Sequence, residues 1–179
     1  MIKIRSARVS DAQTLLNIYS PYVLDTTITF ENDVPTIEEF AERIETISEK
    51  YPYLVAEKDG KILGYAYASA YNVRSAYQWT AETSIYVDGD AKGEGIGKLL
   101  YQKLETYLTE QGVVNLLACI TEDNQGSVKF HEKLGYDYIG KFKKVGFKFG
   151  RWLDIVWMQK TLNDPVSNMD DLKYFKKIG

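Results

Sequence analysis

The sequence lacks several features that mark particular classes of protein. It has a single cysteine, Cys119, which excludes an internal disulfide and favours a reducing cytoplasm. No apolar run approaches the roughly 20 residues of a membrane span, and the first residues contain no apolar signal-peptide core. The net charge of −3 argues against nucleic-acid binding, which usually requires a basic face. We therefore expect a cytoplasmic protein with neither a nucleic-acid nor a membrane partner.

The residues that could bind a metal or act as a nucleophile are equally sparse. The one histidine, His131, and the one cysteine belong to no cluster with metal-ligand spacing, so no metal is expected. Cys119 stands in the apolar run LLACI and is predicted to be buried and unreactive. Tyrosine is abundant at 14 residues, and core packing is the main use expected for these side chains.

Hydrophobic periodicity and turn residues predict elements in the order β-α-α-β-β-β-α-β-α-β-β. The predicted strands are residues 2–7, 53–57, 61–70, 79–87, 113–120, 136–147 and 152–159. The first two predicted helices begin after Ser10 or Asp11 and at the capping box Thr36-Ile37-Glu38-Glu39. The other two span residues 95–111 and 124–134. A hairpin at Asp59-Gly60 beside a strand–helix–strand centre indicates one α/β domain with a mixed sheet and helices on its faces. The domain is placed at residues 1–162, and the polar residues 163–179 form a peripheral tail.

A glycine-rich stretch, residues 92–97 (KGEGIG), lies between a predicted strand and a predicted helix. The first N–H groups of a helix lack backbone partners and lie at the positive end of its dipole, so they attract an anion. Glycine lets the main chain approach a phosphate closely. Neither the P-loop pattern GxxxxGK[ST] nor the dinucleotide pattern GxGxxG fits, because Leu99 follows Lys98 and Leu100 is not glycine. The stretch is either an anion-binding loop or a simple glycine turn.

Residues 92–97 resemble the Q/R-x-x-G-x-G/A motif of the GNAT superfamily of acyl-CoA N-acetyltransferases, with Lys92 in place of Gln or Arg. Lysine keeps the positive charge but lacks the planar fork of arginine. A second stretch, residues 124–136 (NQGSVKFHEKLGY), resembles the N-x-x-A-x-x-x-Y-x-x-x-G-F/Y stretch of that superfamily. Ser127 is the small residue at the alanine position of the motif, and His131 stands at the tyrosine position. Both motifs occur in the expected order, one strand apart.

The resemblance implies a fold and a cofactor. The fold is a single mixed, mostly antiparallel sheet with helices on both faces and a splayed central strand pair. The cofactor is acetyl-CoA, whose pyrophosphate the glycine-rich loop holds. The residues expected to bind it are Ile85, Tyr86, Val87, Lys92, Gly93, Glu94, Gly95, Ile96, Gly97, Lys98, Asn124 and Ser127.

Further segments are similar to phosphinothricin N-acetyltransferases and the related methionine sulfoximine/sulfone acetyltransferases. These segments are YPYLVAEKDGKILGYAYAS, WTAETSIYV, FHEKLGY and VGFKFGRWLDIVWMQ, and the similarity covers residues 2–160. It implies that the amine of a small amino acid analogue with an acidic group attacks the thioester directly in a ternary complex. It also implies a homodimer that pairs through the aromatic-rich C-terminal strands.

Acetyl transfer requires a base for the amine and a proton or hydrogen bond for the leaving thiolate. Glu82 matches the glutamate of the WT-x-E segment and is the candidate base, acting directly or through water; otherwise it is a solvent-facing carboxylate on a half-exposed strand. Strand alternation places it on one face with Thr80, Ser84 and Tyr86. His131 matches the donor near the CoA sulfur; otherwise it is a histidine beside the core. A main-chain N–H on the strand before the loop is the candidate oxyanion donor.

For the acceptor, Arg74 offers a planar cationic fork to a carboxylate or phosphinate; otherwise it is a solvated loop residue. The complete set of expected acceptor residues is Phe30, Arg74, Ser75, Ala76, Tyr77 and Glu82, although Phe30 and Tyr77 could equally serve in the core. An acyl-CoA sensor without turnover remains an alternative function, as does acetylation of a polyamine or a protein N-terminus. The presence of both Glu82 and His131 favours an enzyme.

Overall fold

The computed structural model describes residues 1–178, and its strands and helices follow the predicted order. The strands are β1 (Lys3–Ser6), β2 (Tyr53–Lys58), β3 (Lys61–Ala70), β4 (Thr80–Val87), β5 (Asn115–Thr121), β6 (Asp137–Lys148) and β7 (Arg151–Thr161). The helices are α1 (Ala12–Asp25), α2 (Ile37–Ser48), α3 (Ile96–Gln111) and α4 (Gln125–Lys133). No helix within residues 1–178 has the length and apolar character needed to cross a membrane.

Local signals explain where the helices begin and end. At the start of α2, the Glu39 amide donates to Thr36 Oγ1 at 3.1 Å and the Thr36 amide donates to Glu39 Oε2 at 2.8 Å. This is the predicted capping box, which pairs two amides that the helix itself leaves free. Helix α3 is flanked by Gly95 and Gly112, both in the left-handed region with φ of 78° and 93°. Glycine adopts that conformation without the strain that a Cβ atom causes.

The sheet has the strand order β1-β2-β3-β4-β5-β7-β6. All neighbouring strands are antiparallel except β4 and β5, which are parallel. These two strands pair only from Thr80–Asn115 to Glu82–Leu117. Beyond that point β4 continues to Val87 and β5 to Thr121 without pairing with each other, although β4 stays paired with β3 and β5 with β7. The predicted mixed, mostly antiparallel sheet with a splayed central strand pair is confirmed.

Helices cover both faces of this sheet, as predicted. On one face Ile85 of β4 packs against the core cluster that contains Leu100 and Leu104 of α3. On the other face Tyr86 packs against a second cluster that contains Leu15 of α1 and Phe40 of α2. Alternate residues of β4 therefore point to different layers, and this alternation governs the site described below.

Residues 163–178 contribute to the core although they contain no regular helix or strand. Leu172 and Phe175 are buried in the cluster on the α3 face. The Phe175 amide donates to the Lys50 carbonyl at 3.2 Å, and the Ile178 amide donates to Ser6 Oγ at 2.9 Å. The domain limit at residue 162 stays a prediction. Residues 163–178 nevertheless pack against the domain through buried side chains and main-chain hydrogen bonds.

Phe175→Ala should lower the free energy of unfolding by about 3 kcal/mol, because it removes a buried aromatic ring. Tyr174→Ala is the matched control, since the neighbouring ring is 71% exposed. It should change the free energy of unfolding by less than about 0.5 kcal/mol. Urea denaturation measures both values, and equal losses would show that the segment is not anchored through Phe175.

Candidate active site

The divergence of β4 and β5 opens a cleft between them. Its walls are residues 83–86 of β4 and 118–121 of β5, and three side chains of the α4 region close it: Asn124, Ser127 and His131. Parallel strands normally share a continuous ladder, so the loss of pairing after Glu82 leaves main-chain groups of β4 available on this side. The cleft is the candidate location of the reacting atoms.

A groove of about 790 Å³ continues from this cleft over the glycine-rich loop. It shares Ile85, Asn124 and Ser127 with the cleft. Ten of the predicted cofactor residues line it, namely Ile85, Val87, Lys92, Gly93, Gly95, Ile96, Gly97, Lys98, Asn124 and Ser127. The two remaining side chains lie elsewhere: Tyr86 points to the opposite face, and Glu94 Oε2 lies 3.6 Å from Lys58 Nζ.

The glycine-rich loop leaves main-chain donors facing the groove. The first hydrogen bond of α3 runs from the Leu99 amide to the Gly95 carbonyl at 3.2 Å. The amides of residues 96–98 precede it and have no acceptor within the helix. Gly97 serves another purpose, because a Cβ atom there would lie 3.2 Å from Cζ of Phe130. The small residue lets α3 and α4 approach each other at the edge of the groove.

Sequence reasoning missed six groove residues: Tyr22, Ile28, Ala91, Gly126, Phe130 and Lys133. Tyr22 comes from α1, and its hydroxyl donates to the Val87 carbonyl at 2.6 Å. It therefore satisfies a β4 group at the end of the diverging strand. No local sequence motif predicts this contact, because the two residues are 65 positions apart in the chain.

The groove is cationic although the chain has a net charge of −3. Lys92, Lys98 and Lys133 line it, and within residues 1–178 none of them forms an ion pair. The Lys92 ammonium lies 5.2 Å from the centre of the Tyr22 ring, a cation–π distance. Unpaired ammonium groups beside free helix amides suit a ligand with several phosphates.

His131 is 2% exposed, and both of its ring nitrogens have partners. Nδ1 lies 2.8 Å from the Ser127 carbonyl, which can only accept, so Nδ1 carries the proton. Nε2 then accepts from the Tyr101 hydroxyl at 2.9 Å. Burial lowers the pKa of His131 below its usual value, so the ring is neutral at pH 7.

Glu82 is half-buried on β4, at the last residue pair before the strands diverge. Burial raises the pKa of its carboxyl above the ordinary glutamate value. Its cross-strand neighbours are Ser69 of β3 and Leu117 of β5. The carboxylate therefore stands on the face opposite to Ile85, beside the cleft and not in the groove.

A second cavity of about 340 Å³ lies on the Glu82 face of the sheet, between the sheet and α1 and α2. We call it the tyrosine cavity, and its main walls are Tyr19, Tyr53, Tyr65, Tyr67, Tyr86 and Phe30. Burial raises the pKa of Tyr53, Tyr65 and Tyr86 well above the usual value, so these rings stay neutral. Arg43 also lines the cavity, but Glu31 neutralises it through two hydrogen bonds of 2.5 and 2.9 Å.

The predicted acceptor residues divide into two groups. Phe30 and Glu82 lie on the face of the tyrosine cavity. Residues 74–77 form an exposed turn before β4 and line none of the cavities described above. The Arg74 amide donates to Asn72 Oδ1 at 3.0 Å, which shapes the turn, while its guanidinium is exposed.

The prediction that Cys119 is buried is wrong, because its side chain is exposed. Ala118 and Ile120 point to the α3 face and are buried, whereas Leu117 and Cys119 point to the Glu82 face. The run looked uniformly buried because its outward positions are also apolar. The surrounding protein atoms and the Glu82 charge raise the pKa of the thiol to about 12, so it stays protonated at neutral pH.

Residues 4–157 match the family described as "Acetyltransferase (GNAT) domain". This span includes the splayed strands, the glycine-rich loop and the α4 segment. The chain belongs to the GNAT acetyltransferase family. Enzymes of this family take their acetyl group from acetyl-CoA, and the protein is accordingly an acetyl-CoA-dependent N-acetyltransferase.

Relatives of the chain include proteins named as N-acetyltransferases. The chain is 40% identical over 162 residues to phosphinothricin N-acetyltransferase of Alcaligenes faecalis, covering 89% of this chain and 82% of the relative. It is 37% identical to an L-methionine sulfoximine/L-methionine sulfone acetyltransferase of Pseudomonas aeruginosa, covering 90% and 95%. The solved GNAT phosphinothricin acetyltransferase of Sinorhizobium meliloti in complex with AcCoA superposes with a TM-score of 0.88 at 37% identity, over 94% of this chain and 95% of that one.

The groove of this GNAT protein fits acetyl-CoA on its own chemistry. Free amides at the start of α3 suit a diphosphate, and the three lysines supply countercharge along the groove. The inner end of the groove reaches the cleft beside β4 through Ile85 and Ser127. Bound acetyl-CoA would supply the acetyl group there.

Lys133→Gln should raise the Kd for CoA about threefold, because it removes an unpaired charge from the groove. Lys129→Gln changes an exposed lysine of the same helix that does not line the groove, so it should leave Kd unchanged. Isothermal titration calorimetry at low salt measures both constants. If the two substitutions had the same effect, Lys133 would have no specific part in the cofactor site.

Proposed function

We propose that this protein acetylates the amine of a small amino acid analogue of the phosphinothricin or methionine sulfoximine/sulfone type. The observation that carries the proposal is the position of β4 between two cavities. Ile85 lines the cationic groove on one face, and Tyr86 lines the tyrosine cavity on the other. The thioester and the amine can therefore approach each other from opposite faces of one strand, in a ternary complex.

Glu82 is the base in this proposal. It lies between the two approaches, and its raised pKa brings it closer to that of an amine, which improves proton transfer. It accepts the amine proton directly or through one water molecule. The amine nitrogen then bonds to the carbonyl carbon, and the carbon–sulfur bond breaks. A β4 amide beyond Glu82, where the β5 partner is missing, stabilises the negative charge on the carbonyl oxygen.

His131 acts on the leaving thiolate indirectly. Its neutral ring, held between the Ser127 carbonyl and the Tyr101 hydroxyl, fixes the polar side chains that border the cleft. Ser127 Oγ lies 3.3 Å from Nδ1 and borders both the cleft and the groove. The serine hydroxyl is therefore the group through which His131 supports the sulfur. This differs from direct donation by His131 to the CoA sulfur, which the family resemblance implies.

Arg74 binds the acidic group of the acceptor from the rim of the site. Its guanidinium is exposed and free to turn, and its planar fork matches a carboxylate. Residues 75–77 follow it in the same turn before β4. Phe30 and the tyrosine cavity receive the remainder of the molecule.

A homodimer belongs to the same proposal. The β6–β7 hairpin exposes large apolar side chains: Ile139, Phe142, Phe147, Phe149 and Trp152 are each more than half exposed. Contiguous exposed apolar side chains typically mark an interface, and a second copy of this hairpin could cover them. Sedimentation equilibrium should give twice the chain mass, and a monomer at micromolar concentration would contradict the proposal.

Glu82→Gln should lower kcat at least about tenfold, equivalent to roughly 1.4 kcal/mol of barrier, while the Kd for CoA stays constant. Because the base must be deprotonated, the wild-type rate should fall as the pH decreases through the raised pKa of Glu82, and the variant should lack this limb. Thiol release from acetyl-CoA with L-methionine sulfone measures the rate.

Glu110→Gln is the control, since it removes an exposed carboxylate near the end of α3. It should leave the rate unchanged. An unaltered rate in Glu82→Gln would remove the proposed base. Binding of CoA without thiol release across a panel of amino acid analogues, polyamines and peptides would contradict the enzyme and favour the sensor.

A further inference from the structure

Gly146 of β6 faces the ring of Phe30. A Cβ atom built on Gly146 would collide with Cε2 of that ring and would lie 2.7 Å from Cδ2 and Cζ. Gly146 does not have a positive φ, so its backbone conformation suits any residue. Glycine is therefore required at this position only because a side chain would collide with Phe30, which is one of the residues of the expected acceptor site.

The loop that carries Phe30 is fixed to the sheet at two further points. Thr121 Oγ1 of β5 donates to the Thr27 carbonyl at 2.6 Å. Lys148 Nζ of β6 donates to the Thr29 carbonyl at 2.8 Å, and this lysine is only 3% exposed. The backbone that leads into Phe30 is therefore held at two carbonyls, so the main chain that carries the ring cannot easily shift away from β6 if the place of the ring there is taken.

Phe30 lines the tyrosine cavity while its ring lies against Gly146. We propose that Gly146 is a specificity-determining position: the missing side chain lets the Phe30 ring lie against β6 and keeps the tyrosine cavity open to the side chain of the acceptor. A larger residue at position 146 pushes the ring away from β6, into the space that the acceptor needs. This inference rests on the proposed function, in which that cavity receives the amino acid analogue.

The effect should be confined to the acceptor. The groove for acetyl-CoA lies on the other face of β4, and neither Gly146 nor Phe30 lines it. A change at Gly146 should thus alter acceptor binding and leave cofactor binding as it is. General destabilisation of the fold would weaken the binding of both ligands and not of the acceptor alone.

Gly146→Ala tests the inference, and Gly140→Ala on the same strand is the matched control. A Cβ atom at Gly140 meets nothing within 4 Å, so both variants add one methyl group to β6 but only one meets Phe30. Gly146→Ala should raise the KM for L-methionine sulfone about tenfold. The Kd for CoA should remain within about twofold of the wild-type value for both variants. Equal KM values in the two variants would overturn the inference.

A double substitution separates a contact with Phe30 from any other effect. In a Phe30→Ala background the ring is absent, so adding Gly146→Ala should change KM by less than about twofold. If Gly146→Ala raised KM by the same factor with and without the Phe30 ring, the role assigned to this contact would be wrong. Thermal unfolding of all four proteins confirms that they are folded at the assay temperature.

Calorimetric binding of L-methionine sulfone to the CoA-saturated protein gives the same comparison without turnover. A wild type that binds the sulfone but does not acetylate it would contradict the proposed function, while the comparison of Gly146→Ala with Gly140→Ala would still test the inference. A wild type that acetylates other amines but does not bind the sulfone would support the enzyme and overturn the inference. A wild type that binds no amino acid analogue would overturn both.

Discussion

The site depends on the early end of pairing between β4 and β5 after Glu82 and Leu117. Two parallel strands that separate inside a sheet leave main-chain groups of β4 unpaired and create a cleft without removing the core beneath it. Helices α3 and α4 begin beyond the ends of these strands, so their free amides lie at the same edge. Tyr22 satisfies the Val87 carbonyl, which stabilises the far end of the separated strand.

In the proposed function, the alternation of β4 gives each of the two substrates its own face of the strand. Ile85 faces the groove that three unpaired lysines make cationic, and Tyr86 faces a cavity whose aromatic hydroxyls are neutral. This difference in charge suits the groove to a polyphosphate ligand and the tyrosine cavity to the proposed amino acid acceptor. Burial raises the pKa of Glu82 and lowers that of His131, so both side chains titrate at a different pH from the same groups in water.

The parts predicted well from sequence are those with local causes. The capping box of α2, the glycines around α3 and the hairpin turn act through neighbouring residues. Ten of the residues expected to bind the cofactor, from β4 and the two motifs, line one groove, and their binding role stays a prediction. Tyr22 was missed because tertiary structure alone brings it to the groove, whereas Lys133 stands inside the second motif at a position for which the motif specifies no residue. The tyrosine cavity was missed for the same reason as Tyr22, since α1, α2 and three strands contribute to it. Cys119 was assigned wrongly because an apolar outward face conceals strand alternation.

Amide chemical shifts measured by 15N NMR during titration with CoA test the central claim most directly. The account predicts that the amides of residues 93–98 shift most, together with those of β4 beyond Glu82, because the ligand binds along the loop and the separated strand. The amides around the tyrosine cavity that lie outside β4 should change little until an acceptor is added. Saturation with CoA that leaves the amides of residues 93–98 unperturbed would contradict the account.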